Sequence, residues 1–216
     1  GMFRCEPDGS NFEVFAHGLR NPQELAFDEF GNWFIVDNDG DFGDRERFHF
    51  LVEGTDAGWR ATWQYRTNGK FSEHGGYNPW MADGLWKPHF EGQPAYLTPA
   101  IINYSNGPCG FAYNPGTALS EKYRNYFFVT EFPGKNIRAF RTKPEGAGFK
   151  MVDEHVAHHG LMTTGINFGP DGALYLADWG NNGWAPHEKG RIMKLDSPGA
   201  IDRPLRIQTR KLLGDG

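Results

Sequence analysis

The sequence has little cysteine, no basic run and no long apolar segment, and each shortage excludes a class of protein. Cys5 and Cys109 are the only cysteines among 216 residues, and their spacing matches no zinc or redox motif. The formal net charge is -5 and the Lys and Arg residues are scattered. The chain therefore offers no basic field for nucleic acid or an anionic membrane. No stretch approaches the roughly 18 apolar residues that cross a bilayer.

Several catalytic signatures are also missing. The sequence contains no Gly-x-Gly-x-x-Gly dinucleotide motif, no Walker loop, no Cys-x-x-Cys-His haem attachment site and no Gly-x-Ser-x-Gly nucleophile motif. The burial tendency of cysteine predicts that Cys5 and Cys109 are two buried free thiols. A disulfide joining neighbouring sheets is the alternative.

Glycine, proline and aromatic residues are abundant. The chain has 29 Gly, 14 Pro and 15% aromatic residues, a mixture typical of many short strands joined by turns. A strand–turn–strand pattern runs over residues 25–37, returns over 166–178, and has a looser copy in 111–131. Outer hairpins are predicted over 137–152 and at the start, over 2–17.

The resulting unit of four strands recurs at about 40–50 residues, which is typical of a β-propeller blade. We predict an all-β chain with about three to four blades: part of one over 2–17, then 18–104, 105–159 and 160–198, with a C-terminal tail or linker over 201–216. Three blades do not close a ring. The chain is therefore either part of a longer propeller or a half that pairs with a second copy.

Two stretches carry most of the polar and aromatic chemistry. Five carboxylates fall within residues 37–46, which are not expected to be core and need solvent, cationic partners or a metal ion. Residues 61–104 interrupt the repeat and are rich in Trp, Tyr, His and Pro. A long aromatic connection of this kind is either a functional loop or a loop packed over one propeller face.

At these motifs the chain resembles the glucose/sorbosone dehydrogenase family. The similarity lies in Arg20-Asn21-Pro22, in the acidic run that follows, in Gly58-Trp59 and in the strand–turn–strand copy at 165–175, and it spans most of residues 1–198. The resemblance implies a six-bladed propeller, of which this chain would be the C-terminal half. It also implies pyrroloquinoline quinone (PQQ) and calcium as cofactors, and hydride transfer from a sugar or aldehyde to the quinone.

The resemblance assigns cofactor contact to Arg20 and Asn21. An arginine there suits a quinone carboxylate or a developing oxyanion. The alternative is an arginine that caps a strand end and pairs with the acidic run. The family's general base, a histidine, lies upstream of this motif and has no counterpart here, so the resemblance assigns no catalytic residue.

The acidic run aligns with the family's calcium loop, and calcium favours six to eight oxygen ligands on a flexible loop. The candidate metal ligands are Asp39, Gly40, Asp41, Asp44 and Glu46. The family's usual residues at positions 39 and 41 are uncharged, which leaves the geometry open. A solvated acidic turn paired with Arg45 and Arg47 is the alternative.

Two further groups are candidates for ligand contact. Three histidines lie close together before Gly160: His155, His158 and His159. They either form a cluster that binds a metal or acts as a base, or they are ordinary loop histidines. Residues 178–182 end an inner strand, where they would either line a pocket or form a polar turn with a tryptophan packed between blades.

Two functions follow as hypotheses. The first is part of a calcium- and PQQ-dependent sugar or aldehyde dehydrogenase, exported to the bacterial periplasm or cell exterior and inactive as these residues alone. The second is a propeller that binds carbohydrate or a protein without catalysis. Both predict no nucleic-acid partner and exposed sheet edges that pair with missing blades or a second copy.

Overall fold

The computed structural model describes residues 1–40, 45–60, 88–94, 97–181 and 183–214. They form four mainly antiparallel sheets of three or four strands, which confirms the prediction of an all-β partial propeller. The candidate ligands Asp41 and Asp44, and most of the aromatic connection, lie outside the described residues.

In the described residues the structure has fourteen strands, one α-helix and two short 3-10 helices, Glu121–Tyr123 and Pro198–Ala200. The strands and the α-helix are β1 (Met2–Arg4), β2 (Glu13–His17), β3 (Asn21–Phe27), β4 (Trp33–Asn38), β5 (Arg47–Leu51), β6 (Thr55–Asp56), β7 (Ile102–Asn103), β8 (Pro108–Asn114), β9 (Tyr126–Glu131), β10 (Asn136–Glu145), β11 (Gly148–His159), β12 (Thr163–Phe168), β13 (Leu174–Asp178), β14 (Arg191–Leu195) and α1 (Pro204–Gly214).

The sheets follow one another along the chain. Sheet 1 is β1-β2-β6, sheet 2 is β3-β4-β5-β7, sheet 3 is β8-β9-β10-β11 and sheet 4 is β12-β13-β14. The first strands of sheets 2, 3 and 4 contact one another in sequence order, so they are the innermost strands of the propeller. Thr55–Asp56 runs parallel to β2 and adds a third strand to the N-terminal hairpin.

The inner hairpins form because the turn between their strands has a fixed chemistry. In sheet 2, Asp28 Oδ1 accepts hydrogen bonds from the backbone N–H groups of Phe30 and Asn32, both at 2.9 Å, and Gly31 has a φ of 79°. Sheet 4 repeats this arrangement with Asp171, whose Oδ1 accepts from Ala173 N at 3.1 Å. The aspartate oxygen accepts hydrogen bonds from backbone N–H groups that a tight turn leaves without a backbone acceptor.

The core lies between neighbouring sheets, as in any propeller. Between sheets 2 and 3 it consists mainly of buried phenylalanines: Phe34, Phe48, Phe111, Phe127 and Phe140. Aliphatic side chains such as Ile137, Leu174 and Leu176 fill the space between sheets 3 and 4. Each such buried side chain contributes about 1.5–3 kcal/mol relative to exposure. The sheets are therefore held mainly by contacts across their faces.

Two predictions from the sequence are wrong in part. Both thiols are free, as predicted, but Cys5 is exposed and Cys109 is only half-buried. The three neighbouring histidines belong to strand β11, not to a loop. Strand geometry sends successive side chains to opposite faces, which separates His158 from His159.

Helix α1 follows the last sheet and is tied to it by arginines. The buried Arg206 donates from Nη1 to Asp196 Oδ1 at 2.9 Å and from Nη2 to the carbonyl oxygen of Asp171 at 2.7 Å. Arg203 donates to the carbonyl oxygen of Leu119 in sheet 3 at 2.9 Å. No helix within the described ranges has both the length and the apolar character to cross a membrane.

Candidate functional site

Three buried carboxylates mark one end of the propeller. Asp37, Glu131 and Asp178 lie at the ends of β4, β9 and β13, the second strands of three successive sheets, and all are buried. We call this end, which also carries the starts of β3, β8 and β12, the upper face. The predicted cofactor residues Arg20 and Asn21 lie on this face, at the start of β3.

Asp37 is the most heavily bonded of the three. Its Oδ2 accepts hydrogen bonds from the backbone N–H of Arg20 at 3.0 Å and from Arg47 Nη2 at 2.8 Å, and its Oδ1 accepts from Asn21 N at 2.7 Å. The expectation that none of the carboxylates of residues 37–46 is core is wrong for Asp37, which is 0% exposed. A buried carboxylate is tolerated here because an arginine neutralises it and N–H groups satisfy both oxygens.

The other two carboxylates are also paired with arginines. Glu131 accepts from Arg138 Nε at 2.9 Å and from Asn136 Nδ2 at 2.7 Å. Asp178 accepts from Arg191 Nε at 2.8 Å. In each sheet the arginine comes from the third strand, so one carboxylate–arginine pair holds the upper end of strands two and three.

The sequence contained a signal for these pairs that was not used. All three copies of the strand–turn–strand pattern end in an acid, at positions 37, 131 and 178. An acid retained at the same point of three otherwise divergent repeats indicates a shared structural role. From the sequence alone, Asp37 belongs to the acidic run and Glu131 has no predicted role.

Side chains of the acidic run also join sheet 2 to sheet 3. Asn38 donates from Nδ2 to the carbonyl oxygens of Asn21 and Pro108, both at 2.9 Å. Glu46 Oε1 accepts from Gly107 N at 2.9 Å. Glu46, a candidate metal ligand, is therefore engaged in an interaction between sheets.

The candidate cofactor residues have a fixed backbone. Because Asp37 accepts both of their N–H groups, Arg20 and Asn21 start β3 from a defined position. Arg20 is half-buried and Asn21 is exposed, with its Oδ1 accepting from Gln23 Nε2 at 2.8 Å. The bonds to Asp37 use only the main chain of both residues.

The candidate metal residues are not brought together within the described structure. Of the five, Asp39, Gly40 and Glu46 are described, and no group of three or more His, Cys, Asp or Glu residues in the described ranges is placed to hold a metal ion. This includes the histidines of β11, where His155 contacts Tyr123 and His159 contacts Asn136. Asp39, Gly40 and Glu46 do not by themselves form a calcium site.

A cavity of about 600 Å³ runs along the inner strands β3, β8 and β12 and is also lined by Met2. Glu24 supplies the only carboxyl group among the described lining residues. Its Oε2 accepts from Phe111 N at 2.7 Å, and burial raises the pKa of the carboxyl above its ordinary value. Burial therefore favours the neutral form of this one carboxyl group in the cavity.

The turn after β13 packs between sheets. Trp179 contacts Phe132 of sheet 3 with ring centroids 6.1 Å apart, and its Nε1 donates to the carbonyl oxygen of Gly183 at 2.7 Å. This agrees with the interpretation of residues 178–182 as a polar turn with a tryptophan packed between blades. Asn182 lies outside the described residues.

Comparison with known families finds one model that matches the chain. It is described as a domain of unknown function, DUF7133, and the match covers residues 1–191. A comparison with curated protein sequences found no match.

Solved sugar dehydrogenases have a similar fold. A glucose dehydrogenase superposes with a TM-score of 0.58 at 21% identity, over 88% of this chain and 49% of its own. The PQQ-bound aldose sugar dehydrogenase of Streptomyces coelicolor gives 0.57 at 18%, over 90% and 51%. The apo soluble aldose sugar dehydrogenase of Escherichia coli gives 0.54 at 15%, over 88% and 48%. The chain thus spans about half the length of these structures.

Proposed function

The chain belongs to the DUF7133 family, and from its sugar-dehydrogenase-like propeller fold we propose that it forms part of a site that binds a sugar or aldehyde together with a PQQ-type quinone. The observation that carries the proposal is the anchoring of Arg20 and Asn21 by the buried Asp37. The proposed site lies on the upper face, at the start of the innermost strand β3.

The chemistry of Arg20 suits an anionic quinone. A guanidinium pairs with a carboxylate through two parallel N–H donors, and this geometry gives both energy and orientation. Two hydrogen bonds to Asp37 fix the backbone from which the side chain extends. A preorganised contact loses less entropy on binding than a mobile one.

The roles of this chain's residues are binding and orientation. When bound, the quinone supplies the capacity to accept a hydride from the substrate carbon. In the proposal, Arg20 holds a quinone carboxylate and Asn21 contributes a polar contact beside it. No residue of this chain is assigned as the general base, so we propose that residues 1–216 alone do not oxidise glucose.

Calcium, location and partners complete the proposal. Calcium would bind the acidic run at positions 39–46, partly through Asp41 and Asp44. A periplasmic or extracellular bacterial protein is consistent with the PQQ-bound Streptomyces structure and the soluble Escherichia one. Exposed Phe3, Phe12 and Val14 on sheet 1 support pairing with further blades or a second copy.

The alternative is a propeller that binds carbohydrate or a protein without catalysis. One observation favours it: the described carboxylates of the upper face are engaged in bonds that hold the fold. Asp37, Glu131 and Asp178 pair with arginines, and Glu46 binds a backbone N–H of sheet 3. In this alternative the fold resembles that of a dehydrogenase, and the acidic residues of the upper face stabilise the structure.

A thermal-melt titration with calcium, and then with calcium plus PQQ, tests the proposal. A ligand present at 100 times its dissociation constant stabilises the native state by about 2.7 kcal/mol, so we expect PQQ to raise the melting temperature. The Arg20→Met variant should lose most of that shift. Lys143→Met removes the same charge from an exposed position of β10 and should keep it.

The outcomes separate the two functions. A PQQ-dependent shift that Arg20→Met abolishes supports the quinone site. A shift with calcium alone, or with neither ligand, rejects the quinone site and leaves the non-catalytic propeller. Dye-linked oxidation of glucose by this chain would show that it contains its own base.

A further inference from the structure

Four aromatic rings from two sheets form a cluster on the upper face. Phe132 follows Glu131 at the end of β9, and Trp179 follows Asp178 at the end of β13. Trp184 packs on Phe132 with ring centroids 4.6 Å apart and 41° between the planes. His187 packs edge-on to Trp179 with centroids 4.9 Å apart. We call Phe132, Trp179, Trp184 and His187 the aromatic cluster.

Two hydrogen bonds join residues in the described part of the loop that carries Trp184. Trp179 Nε1 donates to the carbonyl oxygen of Gly183, next to Trp184, at 2.7 Å. Lys189 N donates to His187 Nδ1 at 2.9 Å. Gly180 has a φ of 75°, and a Cβ there would lie 2.3 Å from the carbonyl oxygen of Lys189. Only glycine permits this close return of the loop on itself.

Within this fixed loop, Trp184 is 75% exposed, while the Phe132 beneath it is 3% exposed. The hydrophobic effect favours burial of an indole ring, and it opposes this arrangement. The ring of Trp184 nevertheless stays exposed. It packs on Phe132, and hydrogen bonds before and after it in the loop constrain its backbone. A large aromatic ring that packs on Phe132 and is otherwise largely exposed offers a flat surface to a ligand.

We propose that Trp184 is a platform on which the ring of a carbohydrate stacks. A pyranose with equatorial hydroxyl groups presents a flat patch of C–H groups, and these polarised hydrogens pack on the negative face of an indole. The proposal deepens the proposed function, on which it rests for the ligand class, but it needs neither quinone nor metal.

Other ligand classes fit this surface less well. A lipid surface needs a broad apolar patch, whereas the loop that carries Trp184 also carries the exposed Glu188 and Lys189. Single-stranded nucleic acid also stacks on aromatic rings but requires a basic groove. The net charge of -5 opposes such a groove. A single exposed indole ring, in a loop that also carries exposed polar residues, fits one sugar ring with its hydroxyl groups facing outward.

The test uses the full chain and two named sugars. We expect cellopentaose, with its all-equatorial glucose rings, to bind in a calorimetric titration more tightly than maltopentaose. Trp184→Ala should weaken cellopentaose binding by about tenfold or more, while Trp184→Phe, which keeps a flat ring, should retain part of it. Phe30→Ala is the matched control, because Phe30 is 81% exposed in a turn at the opposite end of the propeller.

The outcomes decide between this inference and the proposed function. Unchanged melting temperatures for all three variants, with binding lost only in Trp184→Ala, support the platform. Absence of cellopentaose binding, equal loss in Phe30→Ala, or binding of a polyproline peptide in place of sugar would overturn it. A PQQ response without sugar binding leaves the proposed function standing, and sugar binding without a PQQ response leaves the platform standing.

Discussion

At the scale of the residue, the buried aspartates Asp37 and Asp178 differ in how exposed their arginine partners are. Asp37 accepts three hydrogen bonds and pairs with Arg47, whose side chain is 19% exposed. Asp178 pairs with Arg191, whose side chain is 59% exposed. Water can solvate Arg191 if its partner is removed, but it has little access to Arg47. Removing Asp37 should therefore lower the free energy of unfolding more than removing Asp178 does.

We expect Asp37→Ala to lower the free energy of unfolding by about 3–5 kcal/mol, because it leaves a largely buried cation and two N–H groups without their acceptor. Asp178→Ala should cost about 1 kcal/mol, because its arginine faces solvent. Urea unfolding of both variants measures the difference. Glu145→Ala, in an exposed pair with Lys150, is the control and should stay within about 0.5 kcal/mol of the wild type. Equal costs at positions 37 and 178 would contradict this account.

The sequence could predict which residues form the candidate site but not their bonding. The family resemblance assigned cofactor contact to Arg20 and Asn21, and the structure places Arg20 just before β3 and Asn21 at its start. That Asp37 would accept both of their N–H groups depends on the pairing of β3 with β4, in which Asn21 lies opposite Asn38. The burial of Asp37 also required Arg47, whose approach is set by β5. An arrangement that depends on three strands produces no local pattern in the sequence from which it could be predicted.

At the scale of the element, helix α1 is attached to the propeller mainly through polar contacts. Its exposed apolar residues include Leu212 and Leu213, whereas the buried contact is Arg206. The guanidinium of Arg206 reaches Asp196 and the turn at Asp171. A helix held in this way opens without unfolding the sheets beneath it.

For Arg206→Ala we expect local undocking of α1. Loss of a buried ion pair costs about 3 kcal/mol or more, so amide exchange within Pro204–Gly214 should accelerate by about 100-fold. Exchange in β9 and β13 should remain as in the wild type. Arg210→Ala, at an exposed position of the same helix, should change the exchange by no more than about twofold. Global acceleration would show that the helix is part of the cooperative core.

Among elements, the hairpins were predictable and the long-range strand was not. Alternating apolar residues around Asp28–Gly31 and Asp171–Gly172 indicate strands joined by a tight turn, and both hairpins are present. Thr55–Asp56 has only two residues and no alternation. It pairs with β2 because Gly18 and Gly58 allow the two chain segments to approach closely.

At the scale of the whole molecule, the interface between sheets 1 and 2 contains an ionisable group without a partner. His49 is buried on β5, and neither ring nitrogen has a hydrogen-bond partner in the described structure. Burial, with a smaller contribution from the charge of Arg47, lowers the pKa of His49 to about 3. The folded protein therefore contains a neutral imidazole, whereas the unfolded chain binds a proton below about pH 6.5.

This difference predicts how stability depends on pH. Between about pH 3 and 6.5 the unfolded state binds more protons at position 49, so the free energy of unfolding falls as the pH falls. We expect a loss of about 2 kcal/mol between pH 7 and pH 5, measured by urea unfolding at each pH. His49→Leu should remove most of that loss. A wild-type stability that is the same at both pH values would exclude this role.

The three carboxylate–arginine pairs are reached through two different strand registers. In sheets 2 and 4 an aspartate lies directly opposite its arginine, Asp37 to Arg47 and Asp178 to Arg191. In sheet 3 the residue opposite the acid is Asn136, and the arginine lies two positions further along the strand. There the acid is a glutamate, longer by one methylene. The longer side chain of Glu131 thus reaches an arginine that is displaced along the strand, so all three sheets close their upper end with the same pair of charges.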